Sequence, residues 1–400
     1  MAPPLDDTTR SIIKACVPAL EAHGLAITTE MYRRLLANPA IRDLFNLSHQ
    51  EDGAQPMALA LAVLAYARNI DNLGAMAGAV ERIAEKHVGL NIEPEHYPYV
   101  AEALLGAIAQ VLGDAATPEI LDAWGKAYWF LADILIGREK QIYAAHAAAS
   151  GGWVGWRPFR VQARKAESES VTSFELVPED GGPVMQHAPG QYLSFRLDVP
   201  GHGSERRNYS ISSAPSAQGY RISVRRIDGG VVSDWLHDSA REGTVLQVSA
   251  PAGEFTLTPA TGPIVFLSAG VGLTPFMSML AQLTGSNAHP PIHYIHTTRN
   301  PRTEAFGQSI RALARSGQVQ ADLFYTRQAP QADMPVPGVT CHEGRITPAW
   351  LQGRVDPRAS YYICGPDGFM RDMVGALKDA GVPPAQIRYE FFGPAADPAL

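Results

Sequence analysis

The sequence predicts a three-domain protein: an all-α domain over residues 1–149, an antiparallel β-barrel over 153–261, and an α/β domain with a parallel sheet over 262–400. Three observations carry this. A chain of 400 residues is too long for one ordinary core. Its first 148 residues are rich in Ala and Leu at helical spacing, with few strand-like runs. After "SGG" at 150–152 the pattern becomes short alternating runs between Gly and Pro turns, and then continuous apolar runs alternating with helical stretches.

In the helical region, "NPAI", "IEPEHYP" and "LGDAATPEI" punctuate the helices. Thr117 followed by Pro118 and Glu119 predicts a helix start, because the hydroxyl can cap and proline suits the first turn. Val80, Ile83, Ala84 and His87 fall at i, i+3, i+4 and i+7, so the imidazole faces inward. It is either a hydrogen-bonded core histidine or a metal ligand. Tyr97 shares a stripe with Val100, Leu104 and Ile108, and Glu139 closes one running through Trp124, Tyr128, Leu131 and Leu135. A buried phenol or carboxylate needs a partner, and His87 is available to both. The alternatives are a solvated helix end for Glu139, between Arg138 and Lys140, and a capped core tyrosine for Tyr97. Gln55 and Leu59 share a face, and the inner side of the Tyr32 helix can close the same pocket. One inward histidine, an inward Phe45 and a few polar groups across an apolar pocket suit a haem, which needs one axial ligand and an open sixth position.

In the second region "VTSFELV", "GQYLSFRLDV", "YRISVRR" and "TVLQVSA" alternate or are β-branched, at the spacing of a small barrel. "RRNYSISSAP" sets Arg207, Tyr209 and Ser210 on one strand, either to hold a phosphate and a planar ring or as an ordinary exposed face. In the third region "SAGVGLTPF" ends a strand with Gly270 and Gly272 and opens a helix at Thr274 and Pro275. Bare amides and a helix N-terminus can meet a pyrophosphate there, although Pro275 stands where the full dinucleotide fingerprint has a third glycine. A plain tight turn is the alternative. "CGPDGFM" repeats the strand, glycine turn and helix order, and paired turns at strand carboxyl ends suit a nicotinamide site. Cys364 lies either beside that ring or in the core.

"PGQY", "RNYS", "GVGLTP", "CGPDGFM" and "YEFFGP", in that order, resemble a ferredoxin-reductase-type module, an FAD-binding barrel followed by a nicotinamide-nucleotide domain. The resemblance implies FAD contacts from Tyr192, Arg207, Asn208, Tyr209, Ser210, Phe391, Phe392, Gly393 and Pro394. It sets Gly270, Val271, Gly272, Leu273, Thr274 and Pro275 at the dinucleotide phosphates, with Cys364 and Gly365 in the second turn. With "EKHVGLNIEPEHYPYV", "LDAWGKAYWFLADILIGRE" and "GGWVGWRPF" added, the whole chain resembles a flavohaemoglobin of the bacterial nitric oxide dioxygenase type. The resemblance makes His87 the proximal ligand of haem b, Tyr97 and Glu139 its polar partners, and Tyr32, Gln55 and Leu59 the distal pocket. Phe45 packs on the haem, and Lys86 and Glu390 lie between haem and flavin. Trp129 departs from the family, which commonly has a small residue there.

The implied activity is oxidation of NO to nitrate with O2, driven by electrons from NADH or NADPH through FAD to the haem iron. The alternatives are an oxygen store or gas sensor with a slow reductase, and a flavin reductase of lipid hydroperoxides or external acceptors. Arg299, after the next strand, meets the 2′-phosphate of NADPH or is a solvated loop arginine. The expected partners are O2 and NO, with a lipid as a further candidate for the distal pocket and no obligate protein partner. A net charge of -7 without a dense basic run excludes nucleic acid. "MALALAVLAYA" is too short to span a bilayer, so no stable membrane insertion is expected. The N-terminus lacks the order of a signal peptide, and the three cysteines, Cys16, Cys341 and Cys364, have no metal-ligand spacing, so the expected location is cytoplasmic.

Overall fold

The computed structural model describes residues 4–42, 44, 54–260, 262–286, 288–330 and 335–392. Seven helices come first: α1 (Asp7–Ala15), α2 (Val17–Leu36), α3 (Pro39–Arg42), α4 (Ala54–Arg68), α5 (Ala77–Gly89), α6 (Tyr97–Leu112) and α7 (Pro118–Ala148). Thr117 caps α7 by accepting from the Ile120 amide, as its spacing predicts. α2 packs on α4 and α6, and α5 packs on α7. Ile27, Leu35, Ala107, Ile108 and Ala127 fill the main core between them. A second, smaller cluster joins Ala84 and Val88 of α5 to Tyr97, Ala132 and Leu135. His87 sits at its edge.

The next six strands are β1 (Arg157–Ala166), β2 (Val171–Pro178), β3 (Tyr192–Val199), β4 (Gly203–Ser210), β5 (Tyr220–Arg225) and β6 (Val245–Val248), with α8 (Val231–Asp238) between the last two. They form an antiparallel sheet in the order β4-β3-β6-β1-β2-β5. An Ile211–Ile222 bridge and a 2.7 Å bond from the Ser212 amide to the Arg221 carbonyl join its two ends. Phe159, Phe174, Leu193, Phe195 and Ile222 fill the interior, each at most 1% exposed. The start of β2 does not alternate as expected: Val171 and Ser173 are buried as well as Thr172 and Phe174. Val171 belongs to the core of the α/β domain, which covers the outer face of the barrel at that point.

The last region holds β7 (Ile264–Ala269), α9 (Thr274–Thr284), β8 (Ile292–Thr298), α10 (Gly307–Arg315), β9 (Gln320–Tyr325), β10 (Val339–Glu343), α11 (Pro348–Gln352), β11 (Ser360–Cys364), α12 (Asp367–Asp379) and β12 (Ile387–Glu390). Its sheet is parallel throughout, in the order β10-β9-β8-β7-β11-β12. All six residues of β7 are buried, as a central strand covered on both faces requires. β7 and β11 are neighbours, so the two glycine turns leave the sheet side by side.

Candidate functional site

His87 lies near the C-terminus of α5 with its side chain 31% exposed. Its Nδ1 is 2.7 Å from Glu139 Oε1 on α7 and 3.1 Å from the Tyr97 hydroxyl on α6. The Tyr97 hydroxyl donates to the same carboxylate oxygen at 2.6 Å. Glu139 is only 2% exposed, which settles the choice left open by its charged neighbours. Burial, and then the charge of Glu139, pushes the Tyr97 hydroxyl well above the usual range, so it stays protonated as a donor. Both contacts to the ring engage Nδ1, which leaves Nε2 available to a metal.

Across the domain, Tyr32 on α2 is buried and bonds the Gln55 side chain on α4. Burial raises its pKa to about 12, so the hydroxyl is a donor at neutral pH. Leu59, one turn after Gln55, packs against the main helical core. Trp129 is 40% exposed, its ring edge-on to Tyr128 at 5.4 Å. Phe45 lies outside the described residues.

α5 runs on to the barrel. Desolvation by the surrounding protein holds the Lys86 ammonium below the ordinary range, against the opposing charge of Glu390 on β12. Burial pushes the Glu390 carboxyl up to about 8, with Lys86 acting to lower it. Glu390 Oε2, the Tyr192 hydroxyl and the Ser210 hydroxyl are buried without a hydrogen-bond partner among the described residues. Tyr192 and Ser210 pair across β3 and β4, and the charge of Glu390 reaches Tyr192. Leaving such groups unpaired costs on the order of 1–3 kcal/mol each, a cost removed by a polar ligand such as a flavin. On β4, Arg207 bonds Glu205 at 2.8 Å, Asn208 is exposed, and Tyr209 packs edge-on to Phe195. Phe391 is half-buried against Tyr389, Phe392 is exposed, and Gly393 and Pro394 lie outside the described residues.

At the sheet, Gly270–Leu273 form a single 3-10 turn before α9, and Thr274 donates its hydroxyl to the Val271 carbonyl. Pro275 occupies the first turn of α9, where its missing N–H leaves nothing unsatisfied. A Cβ on Gly272 would stand 2.2 Å from the Cys364 carbonyl oxygen and 2.8 Å from the Gly365 nitrogen. The two turns thus touch, and only glycine fits between them. Cys364 is fully buried in the α/β core. Beside these turns a cavity of about 240 Å³ is lined by Ser170, Arg225, Gly270, Thr297, Arg299 and Thr326, among others. Among the described residues its lining has no carboxylate.

Some residues at these sites carry no signal in the sequence. Arg206 donates to the Leu90 carbonyl at 2.6 Å, and Glu85 accepts from the Gly253 amide at 2.9 Å, both across the boundary between helical domain and barrel. Arg225 and Ser170 reach the cavity from the barrel. "RRNYS" and "AEKH" name the strand and the helix, but not the contacts between them.

Comparison with known proteins follows the same division. Residues 29–135 match the globin family, 158–257 the oxidoreductase FAD-binding domain and 266–375 the oxidoreductase NAD-binding domain. A flavohemoprotein of Xylella fastidiosa is 49% identical over 389 residues, covering 96% of each chain. One from Pseudomonas putida is 46% identical over 394 residues, covering 98% of this chain and 99% of its own. The crystal structure of a flavohemoglobin from Malassezia yamatoensis with bound FAD and heme superposes with a TM-score of 0.86 at 27% identity, over 97% of this chain and 100% of that one. The FAD/NAD-binding domain of a nitric oxide dioxygenase from Vibrio cholerae covers 60% of this chain and 99% of its own, at 34% identity and a TM-score of 0.55. With a match that runs through all three domains at nearly half identity, the chain belongs to the flavohaemoprotein family.

Proposed function

We propose that the protein is a cytoplasmic NAD(P)H-dependent nitric oxide dioxygenase that uses haem b and FAD, with O2 and NO as its small-molecule substrates. When bound, the two cofactors would supply the redox chemistry, the flavin a conversion from the two-electron donor NADH or NADPH to single electrons and the haem the oxidation of NO by O2 to nitrate. The observation that carries the reading is the His87, Tyr97 and Glu139 cluster.

A carboxylate accepting from Nδ1–H fixes the ring tautomer and makes Nε2 a stronger donor to iron. Tyr97 holds that carboxylate and the ring in one geometry. Tyr32, protonated and bonded to Gln55, can donate to a ligand that gains negative charge on the far side of the pocket, and Leu59 helps to keep that side apolar. Tyr192, Ser210 and Glu390 would satisfy their buried polar atoms on the flavin, and Lys86 presents a positive charge from the helix that carries His87. The Gly270–Leu273 turn and the start of α9 offer amides to the dinucleotide phosphates. Among the described residues no helix is long and apolar enough to cross a membrane.

The test is NO consumption by haem- and FAD-loaded protein in air-saturated buffer, with NADH, with NADPH and with neither. Sustained, cyanide-sensitive, nucleotide-dependent loss of NO with stoichiometric nitrate is expected. Loss limited to one stoichiometric turnover despite a reducible flavin would overturn the reading in favour of a gas store or an acceptor reductase.

A further inference from the structure

The helix that carries His87 is docked on the barrel along one edge. Arg82 faces Glu254 at 3.6 Å, Glu85 Oε2 accepts from the Gly253 amide at 2.9 Å, and Arg206 donates to the Leu90 carbonyl at 2.6 Å. Between them Gly89 packs directly on β3, where a Cβ would meet Ser194 Oγ at 2.9 Å and the Tyr192 ring at 3.4 Å.

These contacts differ in what they hold. The Arg82–Glu254 pair is long and partly exposed, a geometry that contributes little. Arg206 reaches only the end of the helix. The Glu85 bond is made to the backbone of the loop that follows β6. Ala252, next to Gly253 in that loop, exchanges two 3.0 Å backbone bonds with Tyr192, whose hydroxyl is one of the unpaired buried atoms. A continuous path therefore runs from His87 through one half-turn of helix to Glu85, and through Gly253 and Ala252 to Tyr192. Glu85 also stands apart from its neighbour Glu81, which Arg138 holds in a bidentate pair.

We infer that Glu85 is a positioning residue: its bond to Gly253 clamps the flavin-side loop to the helix bearing His87 and so sets the separation of the two redox sites. The inference rests on the haem and flavin assignments above.

The test compares wild-type holoprotein with Glu85→Gln, which keeps an acceptor, and Glu85→Leu, which keeps the bulk without one. Glu85→Ala repeats the Leu result without overpacking. Hydrogen exchange of residues 250–254 should quicken about tenfold in the Leu and Ala variants, the size expected from losing one charge-assisted hydrogen bond. Haem reduction by reduced flavin should slow by about the same factor, with flavin reduction by NAD(P)H changed by less than about twofold and Gln restoring both properties. Unchanged exchange and haem reduction in the Leu and Ala variants would overturn the inference. So would a Gln variant as impaired as Leu, or a parallel fall in flavin reduction. If wild-type flavin does not reduce haem at all, the cofactor reading fails, and the exchange measurement still decides whether Glu85 holds the loop.

Discussion

The helical domain and the α/β domain build their sites from opposite materials. In the first, three side chains on three helices, His87, Tyr97 and Glu139, meet within 3.1 Å around one ring nitrogen. In the second, the glycine turns at Gly272 and Gly365 meet backbone to backbone, and their own side chains contribute nothing. A site made of side chains can be altered by changing a functional group. One made of backbone can be altered only by changing shape.

The sharpest way to break this comparison is a reciprocal pair of substitutions. His87→Ala removes the imidazole proposed to bind the haem iron and should lower NO consumption at least about a hundredfold while NAD(P)H still reduces the flavin. Gly272→Ala drives a methyl into the Cys364 carbonyl and should slow flavin reduction by a similar factor, at least about a hundredfold, with the haem spectrum unchanged. Stopped-flow absorbance at the flavin and haem bands reads both. If either variant impaired both halves equally, the sites would not be separable.

Glu139→Gln is gentler, because the amide oxygen still accepts from Nδ1–H but carries no charge. Turnover or haem affinity should fall about tenfold, at the low end for groups that support a metal ligand. A haem titration separates the two effects, and an unchanged iron–histidine vibration would remove Glu139 from the site.

How much of this was legible in the sequence follows the same division. His87, Tyr97 and Glu139 appear because helical spacing reports which way a side chain faces, and a polar residue on an apolar face asks for a partner. The paired turns appear because glycine after a buried strand marks backbone that must come close. The antiparallel strands of the barrel and the parallel sheet followed from alternation and from continuous apolar runs, whereas the order of the strands did not. Glu85, Arg206 and Arg225 were not legible, because their partners Gly253, Leu90 and the cavity wall belong to other domains, and docking leaves no local period. For the same reason "VTSFELV" failed to alternate, since the face of Val171 that should meet water meets another domain.

The reductase half also responds to acid. His187, bonded to Ser278 on α9, and His296, bonded to Ser268, are buried in the reductase half, and burial lowers the pKa of each from 6.5 to about 4. Each is held neutral in the fold, so its contribution to stability is complete above pH 6.5 and is lost as pH falls from 6.5 towards 4. The loss is roughly 1.4 kcal/mol per pH unit for each imidazole inside that window. In His296→Asn the unfolding free energy of the reductase half, followed by flavin release in urea, should fall less steeply between pH 6.5 and 4.5 than in wild type. Parallel slopes would show that His296 does not bind its proton on unfolding.

The smallest expected effect concerns the electron donor. Arg299 follows β8, where open α/β sheets read the adenosine ribose, and a carboxylate in that place would favour the free 2′-hydroxyl of NADH. Among the described residues the cavity offers Arg225, Arg299 and several hydroxyls and no carboxylate, a lining that suits a phosphate better than a diol. Arg225 stands near Gly270, with its guanidinium 3.8 Å from where a Cβ would be, and so faces the part of the nucleotide common to both donors. Arg299 is then the group expected to separate them. Because it is exposed, its contribution is modest: Arg299→Ala should raise KM for NADPH about fivefold and leave that for NADH within about twofold. Equal increases for both donors would put Arg299 at the shared pyrophosphate instead, and no change in either would make it a solvated loop arginine.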